Sequence, residues 1–131
     1  MAPFHGTDPK KFIADFHLSF HDDLVNGDED AGVVVDRYHT PDIVQIADGH
    51  RMDRDNLIAH ARPVRKNRPT ARWEVHEAVA GGDRIAARST LYVTNRKRDL
   101  TIEVYFFGEF TPDGRMRRGH TLTRTVPVTK T

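Results

Sequence analysis

The spacing of apolar residues changes period partway along the chain. Near the start, Phe12, Phe16, Phe20 and Leu24, with Ile13 beside them, recur at helical spacing and predict an amphipathic helix. Asp8-Pro9 supplies its start and Asn26-Gly27 its stop. Asp28, Glu29 and Asp30 then favour the positive end of a short second helix carrying Val33, Val34 and Tyr38, which Pro41 terminates. A brief strand, Ile43 to Ala47, leads through Asp48-Gly49 to a third helix. Asp53 or Asp55 caps that helix, and Leu57, Ile58 and Ala61 form its apolar side. Pro63 to Pro69 reads as a basic connection.

Beyond it, period two takes over. Strands are predicted at about Ala71 to Ala80, Arg84 to Thr94, Leu100 to Thr111 and Arg115 to Val126. The separators are Gly81-Gly82-Asp83, Asn95 to Asp99 and the turn Thr111-Pro112-Asp113-Gly114. Helices first and an antiparallel meander second argue an α+β fold with the helices on one face of a curved sheet. The 131 residues are expected to form one domain, 1–131, large enough to enclose a core or a core with a cavity. The last five residues read as a loose tail.

Strict alternation assigns the faces. Trp73, Val75, Glu77 and Val79 share one side, as do Ile85, Ala87, Ser89 and Leu91 on the next strand. Ile102, Val104, Phe106 and Phe110 follow, and Met116, Arg118, His120 and Leu122 complete the set. Glu77, Ser89, Arg118 and His120 are the polar exceptions on this expected inner surface. A carboxylate and an imidazole together there would form a proton-transfer pair, with Arg118 near enough to hold an enolate oxygen. The same residues also fit strand ends in water and an ordinary hydrogen-bonded core histidine. With the opposite parity His76, Tyr92, Glu103 and Tyr105 take their place. On the strict reading that second face, with Tyr92, Tyr105 and Phe107, suits a dimer interface better than solvent.

Composition narrows the chemistry. Twenty basic and nineteen acidic residues nearly cancel, so no global field recruits nucleic acid or a membrane. Three local clusters remain: Arg62, Arg65, Lys66, Arg68 and Arg72; Arg96, Lys97 and Arg98; and Arg115, Arg117 and Arg118. They read as solvated ends and rims, or as a basic collar around a pocket for an anionic ligand. Cysteine is absent, which excludes a thiolate nucleophile and accords with a reducing cytoplasm. The first residues have no apolar core of signal-peptide length, and no apolar run is long enough to span a bilayer. His17 and His21 stand one helical turn apart, yet no HExxH arrangement accompanies them, so no metal is assigned. His17 borders the apolar stripe, whereas His21, beside Asp22 and Asp23, reads as exposed. There is no phosphate loop, Gly-x-Ser-x-Gly elbow or dinucleotide fingerprint, and no cofactor is expected.

The order of several short segments resembles the nuclear-transport-factor-2-like superfamily, and within it the SnoaL-like polyketide cyclase and ketosteroid isomerase group. These segments are Asn26-Gly27-Asp28 after the long helix, Tyr38 to Val44 (YHTPDIV), Asp53 to Ile58, Gly82 to Arg88 (GDRIAAR) and Phe110 to Met116 (FTPDGRM). The resemblance covers nearly the whole chain. It implies a cone-shaped pocket between three N-terminal helices and a strongly curved, mostly antiparallel sheet, with dimerisation through the outer sheet face. It also implies one of several chemistries, because this fold hosts isomerases, cyclases, dehydratases, epoxide hydrolases and non-catalytic binders. Ile46 falls where the steroid isomerases carry an aspartate base, and Phe20 where they carry a tyrosine, so that activity is not expected. Glu74-Val75-His76 likewise lacks the Arg-x-Asp arrangement of the limonene-type epoxide hydrolases.

The expectation is a cofactor-independent acid/base enzyme for an apolar, oxygenated small molecule, carrying out cyclisation, isomerisation or dehydration. His120, Glu77 and Arg118 are its candidate catalytic residues, and Phe16, His17, Phe20, Trp73, Ser89 and Phe106 its substrate-binding ones. The competing expectation is a non-catalytic ligand-binding or protein-interaction module of the same fold.

Overall fold

In the computed structural model, which describes residues 7–94 and 98–127, each of three helices starts at an aspartate whose side chain receives a free backbone amide. Asp8 accepts from Lys10 N–H at the head of α1 (Pro9–Asn26), and Asp30 from Gly32 N–H at the head of α2 (Ala31–Tyr38). Asp53, not Asp55, caps α3 (Arg54–Asn67), in a reciprocal capping box with Asn56. This last helix runs through Pro63, where the sequence suggested a connection. Pro63 removes the amide that would reach the Ala59 carbonyl, but Ala59 is exposed, so that carbonyl is not stranded in the core. Helix α3 ends only at Arg68, a left-handed residue whose N–H bonds the Val64 carbonyl at 2.8 Å.

Polar ties fasten the helices together. Arg54 grips Asp36 through two bonds of 2.7 and 2.9 Å, joining α3 to α2. The Tyr38 hydroxyl donates to Asp23 at 2.5 Å, joining α2 to α1, and Arg65 Nε donates to the Leu24 carbonyl at 2.7 Å, joining α3 to α1.

The sheet has six strands in the order β2-β1-β6-β5-β4-β3. They are β1 (His39–Ala47), β2 (His50–Asp53), β3 (Thr70–Gly81), β4 (Arg84–Thr94), β5 (Asp99–Phe110) and β6 (Met116–Thr125). Neighbours are antiparallel except β1 and β6, which run parallel. Strand β1 begins at His39, earlier than the expected Ile43, and the short β2 was not foreseen. Asp48, in a left-handed conformation, makes the turn between them. Its carboxylate takes the Thr123 amide at 2.7 Å and the Thr123 hydroxyl at 2.5 Å, so it serves the turn.

Between helices and sheet lies a core of Ile13, Phe16, Val35, Ile43, Leu57, Ile85, Ala87, Phe106, Phe110 and Met116. Phe110 meets Phe12 and Phe16 edge-on with ring centroids 5.1 and 5.2 Å apart. Each such buried ring stabilises the fold by about 1.5–3 kcal/mol relative to exposure. The helix-facing residues are thus those that alternation selected on β4 and β5. On β3 and β6 the alternation is interrupted. Val75 pairs with Ser89, but the next pair is Glu77 with Arg88, which leaves His76 as an extra residue. Phe110 pairs with Met116, but Glu109 pairs with Arg118, which leaves Arg117 as a second one. Each extra residue is a β-bulge, and beyond it every side chain changes face. Arg96 and Lys97 of the second basic cluster, and the tail after Pro127, lie outside the described residues.

Candidate functional site

The two bulges relocate the residues that alternation had assigned to the interior. Arg118 and His120 turn to the outer face, where His120 pairs across the ladder with Phe107 and Ile46. Glu77 also faces outward, held by Arg88 Nε at 3.0 Å. Arg118 donates to the carbonyls of Asp42 and Arg117 at 3.0 and 2.8 Å. The expectation of a buried trio is therefore corrected: the three lie on the side away from the helices, and the physical cause is one inserted residue in each strand. Val79 and Leu122 follow them outward and are exposed.

An outer groove of about 840 Å³ runs past Val44, Ile46, Ala86, Phe107, Arg118 and His120, and strands and their turns alone line it. A second concavity, about 390 Å³, lies between the helices and the other side of the sheet. We take the smaller one as the site, because two layers enclose it and buried titratable groups converge there. Helix α1 contributes Phe16, His17, Phe20, His21 and Leu24, and α3 contributes His60 and Val64. The sheet supplies Gln45, Ala71, Trp73, Leu91, Val93 and Met116, and His39 enters at the junction of α2 and β1.

Helical spacing explains the α1 wall, since Phe16, Phe20 and Leu24 recur every four residues and His17 and His21 sit one position on. The His17 ring lies flat on the Trp73 indole, with centroids 4.2 Å apart and planes 11° apart, and meets the Phe106 ring edge-on at 5.5 Å. Burial among these rings, with a smaller contribution from His39, pushes the His17 imidazole down from 6.5 to about 4. It is neutral at physiological pH. Neither of its ring nitrogens has a hydrogen-bond partner among the described residues.

His39 is 1% exposed. The Val35 carbonyl, in the last turn of α2, receives its backbone N–H and also Nδ1 at 2.9 Å. A carbonyl only accepts, so Nδ1 carries the proton and Nε2 keeps a lone pair. Burial lowers the His39 pKa, partly offset by that bond and by Asp36. His21 is half-buried rather than exposed, and its Nε2–H donates to the Pro69 carbonyl at 3.2 Å. The site is thus an aromatic slot with two neutral imidazoles, His39 buried and His17 half-buried, able to accept and return protons without carrying charge at rest.

Of the sequence-selected binding residues, Phe16, His17, Phe20 and Trp73 line this cavity together. Ser89 and Phe106 are buried on the same side of the sheet but do not line it. His39, Gln45 and His60 were not singled out. His39 lay within the YHTPDIV segment, just past the end of a helix, and that position was its only local signal. No arginine or lysine lines the cavity, so the basic clusters do not form a collar within it. Arg72 instead stacks over Tyr92 at 4.0 Å. Among the described residues no three His, Asp or Glu side chains gather as metal ligands, and no helix is long and apolar enough to cross a membrane.

Residues 18–119 match the model of a family described as the SnoaL-like domain. Among solved structures, an LEH-like epoxide hydrolase from M. tuberculosis is similar, with a TM-score of 0.65 at 17% identity over 87% of this chain and 84% of that one. IdmH of Streptomyces antibioticus, a candidate polyketide cyclase, has a TM-score of 0.61 at 18% identity, over 88% and 91% of the two chains. A conserved protein from Planctomyces limnophilus DSM 3776 has a TM-score of 0.65 at 15% identity, over 89% and 97%. Likeness at these identities establishes a shared fold alone. No curated protein matches the chain in sequence.

Proposed function

The chain belongs to the SnoaL-like domain family, and from that premise we propose that it is a one-domain, cofactor-independent enzyme performing acid/base cyclisation, isomerisation or dehydration on an apolar, oxygenated small molecule. The observation that carries this reading is the pair of neutral imidazoles, half-buried His17 and buried His39, on the wall of one aromatic cavity. His39, oriented by the Val35 carbonyl, takes a proton from carbon beside a substrate carbonyl through Nε2. The resulting enolate closes a ring, is reprotonated at another carbon, or expels a hydroxyl as water, and the proton returns through His39 or His17. Phe16, Phe20 and Trp73 hold the apolar body of the substrate and exclude water. The chain works as a homodimer joined through the outer sheet face, where Phe107 is 66% exposed. The absence of cysteine suits a cytoplasmic setting.

The test is exchange of the α-protons of 2-tetralone in heavy water, followed by NMR. The protein is expected to accelerate exchange, and His39→Gln or His17→Gln to lower the rate by about 10²–10⁴. His120→Ala is expected to match the unaltered protein. Exchange at the buffer rate, or full activity in both glutamine variants, would remove the imidazoles from the mechanism and leave a ligand-binding module.

A further inference from the structure

Gln45 brings to the cavity a side-chain amide that no hydrogen bond ties to the described residues. It sits on β1 opposite Met52, one of the residues packed on the core, so its side chain projects toward the helices. The amide makes no hydrogen bond among the described residues, and it lines the open space. Half-buried and bordering open space, that carboxamide is free to bond whatever occupies the cavity.

The fold reserves room for this side chain. Gly119 pairs with Gln45 across the parallel β1–β6 ladder, and a Cβ at Gly119 would lie 2.9 Å from Gln45 Cγ and 3.0 Å from Met116 Sδ. No side chain fits at that position without displacing Gln45 or Met116. The Arg117 bulge is what brings glycine, rather than Arg118 or His120, to the inner face at this level. The remaining lining contains no aspartate, glutamate, lysine or arginine, so no permanently charged side chain stands there to pair with an ionised ligand group.

We propose that Gln45 donates an amide hydrogen bond to the carbonyl oxygen of a neutral, flat, carbonyl-bearing ligand seated in the cavity lined by Trp73, Phe16 and Phe20. This deepens the reading of the cavity given above and rests on it. Gln45 is the electrophilic partner of the imidazoles: it holds the oxygen on which charge develops while they handle the proton.

The experiment is infrared spectroscopy of 2-tetralone carrying ¹³C at its carbonyl, bound to the protein and to Gln45→Leu and Gln45→Met. In the unaltered protein the carbonyl band is expected at lower frequency than in Gln45→Leu, where the donor is gone. Binding is expected to weaken by about five- to tenfold in Gln45→Leu. Gln45→Met, which keeps the length of the side chain but has no donor, is expected to lose the low-frequency band as well. 2-Naphthoate, similar in size but anionic, is expected to bind at least about tenfold more weakly than the ketone. An unchanged band in a Gln45→Leu protein that still binds the ketone would overturn the role of Gln45 and leave the cavity reading standing. Naphthoate binding as well as the ketone would overturn the preference for a neutral ligand. Failure of the unaltered protein to bind 2-tetralone would overturn both this proposal and the reading on which it rests.

Discussion

Phe106 and Phe107 are neighbours on one strand, yet the first is 3% exposed among the helices and the second 66% exposed on the opposite face. The contrast extends to the two sides of the whole sheet. The helix-facing side carries aromatic rings, neutral histidines and an untethered amide. The outer side carries cross-strand ion pairs such as Glu77 with Arg88 and Glu103 with Arg124, interspersed with exposed apolar residues. Both sides are concave enough to hold a ligand. Among the described residues only the inner one has imidazoles whose pKa burial lowers, and that difference, rather than size, favours it as the chemical site.

The sharpest way to break this comparison is to truncate each of the two neighbours. Phe106→Ala is expected to destabilise the chain by about 3–5 kcal/mol, because it opens a void beside Phe110 and His17. Phe107→Ala is expected to leave the stability of the isolated subunit within about 0.5 kcal/mol. Its effect should appear instead as a lower mass in size-exclusion chromatography with light scattering. Equal losses of stability from urea titrations of both variants would mean that the two faces do not differ as described.

Acid sharpens it next. His17 has a folded-state value of about 4 against 6.5 when exposed, and His39 is lowered too, so the unfolded chain binds more protons between those limits. Their contribution to stability is whole above about pH 6.5 and is lost as the pH falls towards 4. The outer carboxylates act later. Glu103, held down from 4.5 by Arg124, contributes above its unfolded value and loses that contribution only as the pH falls further. Urea midpoints should therefore already decline between pH 6.5 and 5, and His17→Gln should flatten that decline. A slope unchanged by the substitution would show that the ring is not buried in neutral form.

The smallest effect is expected from the outer ion pairs. Glu103→Gln, which releases an exposed Arg124, is predicted to move the urea midpoint at neutral pH less than either change above. A shift comparable with that of Phe106→Ala would assign the outer face a structural importance that its exposure does not suggest.

The legible parts of this protein were those governed by local rules. Asp8 and Asp30 cap helices as their positions beside apolar periodic segments indicate, and Phe16, Phe20 and Trp73 reach the cavity because helical spacing and simple alternation hold over those stretches. His17 was legible for the same reason. His120, Glu77 and Arg118 were misplaced because alternation was carried across His76 and Arg117, and an extra residue in a strand is defined only by its partner strand. Gln45 and His39 were missed because nothing in their immediate neighbours marks them. One matters through a glycine 74 positions away on β6, the other through a helix-end carbonyl and rings contributed by α1.

The sequence by itself thus determined the three helices and the caps of the first two, the long strands and the family to which they belong, since those follow from periodicity and from residues close together in the chain. Only the tertiary structure decided which face each strand presents after its bulge, which histidines lose their charge, and which amide is left for a ligand. Those outcomes depend on register and burial, and both are properties of segments brought together from distant parts of the chain.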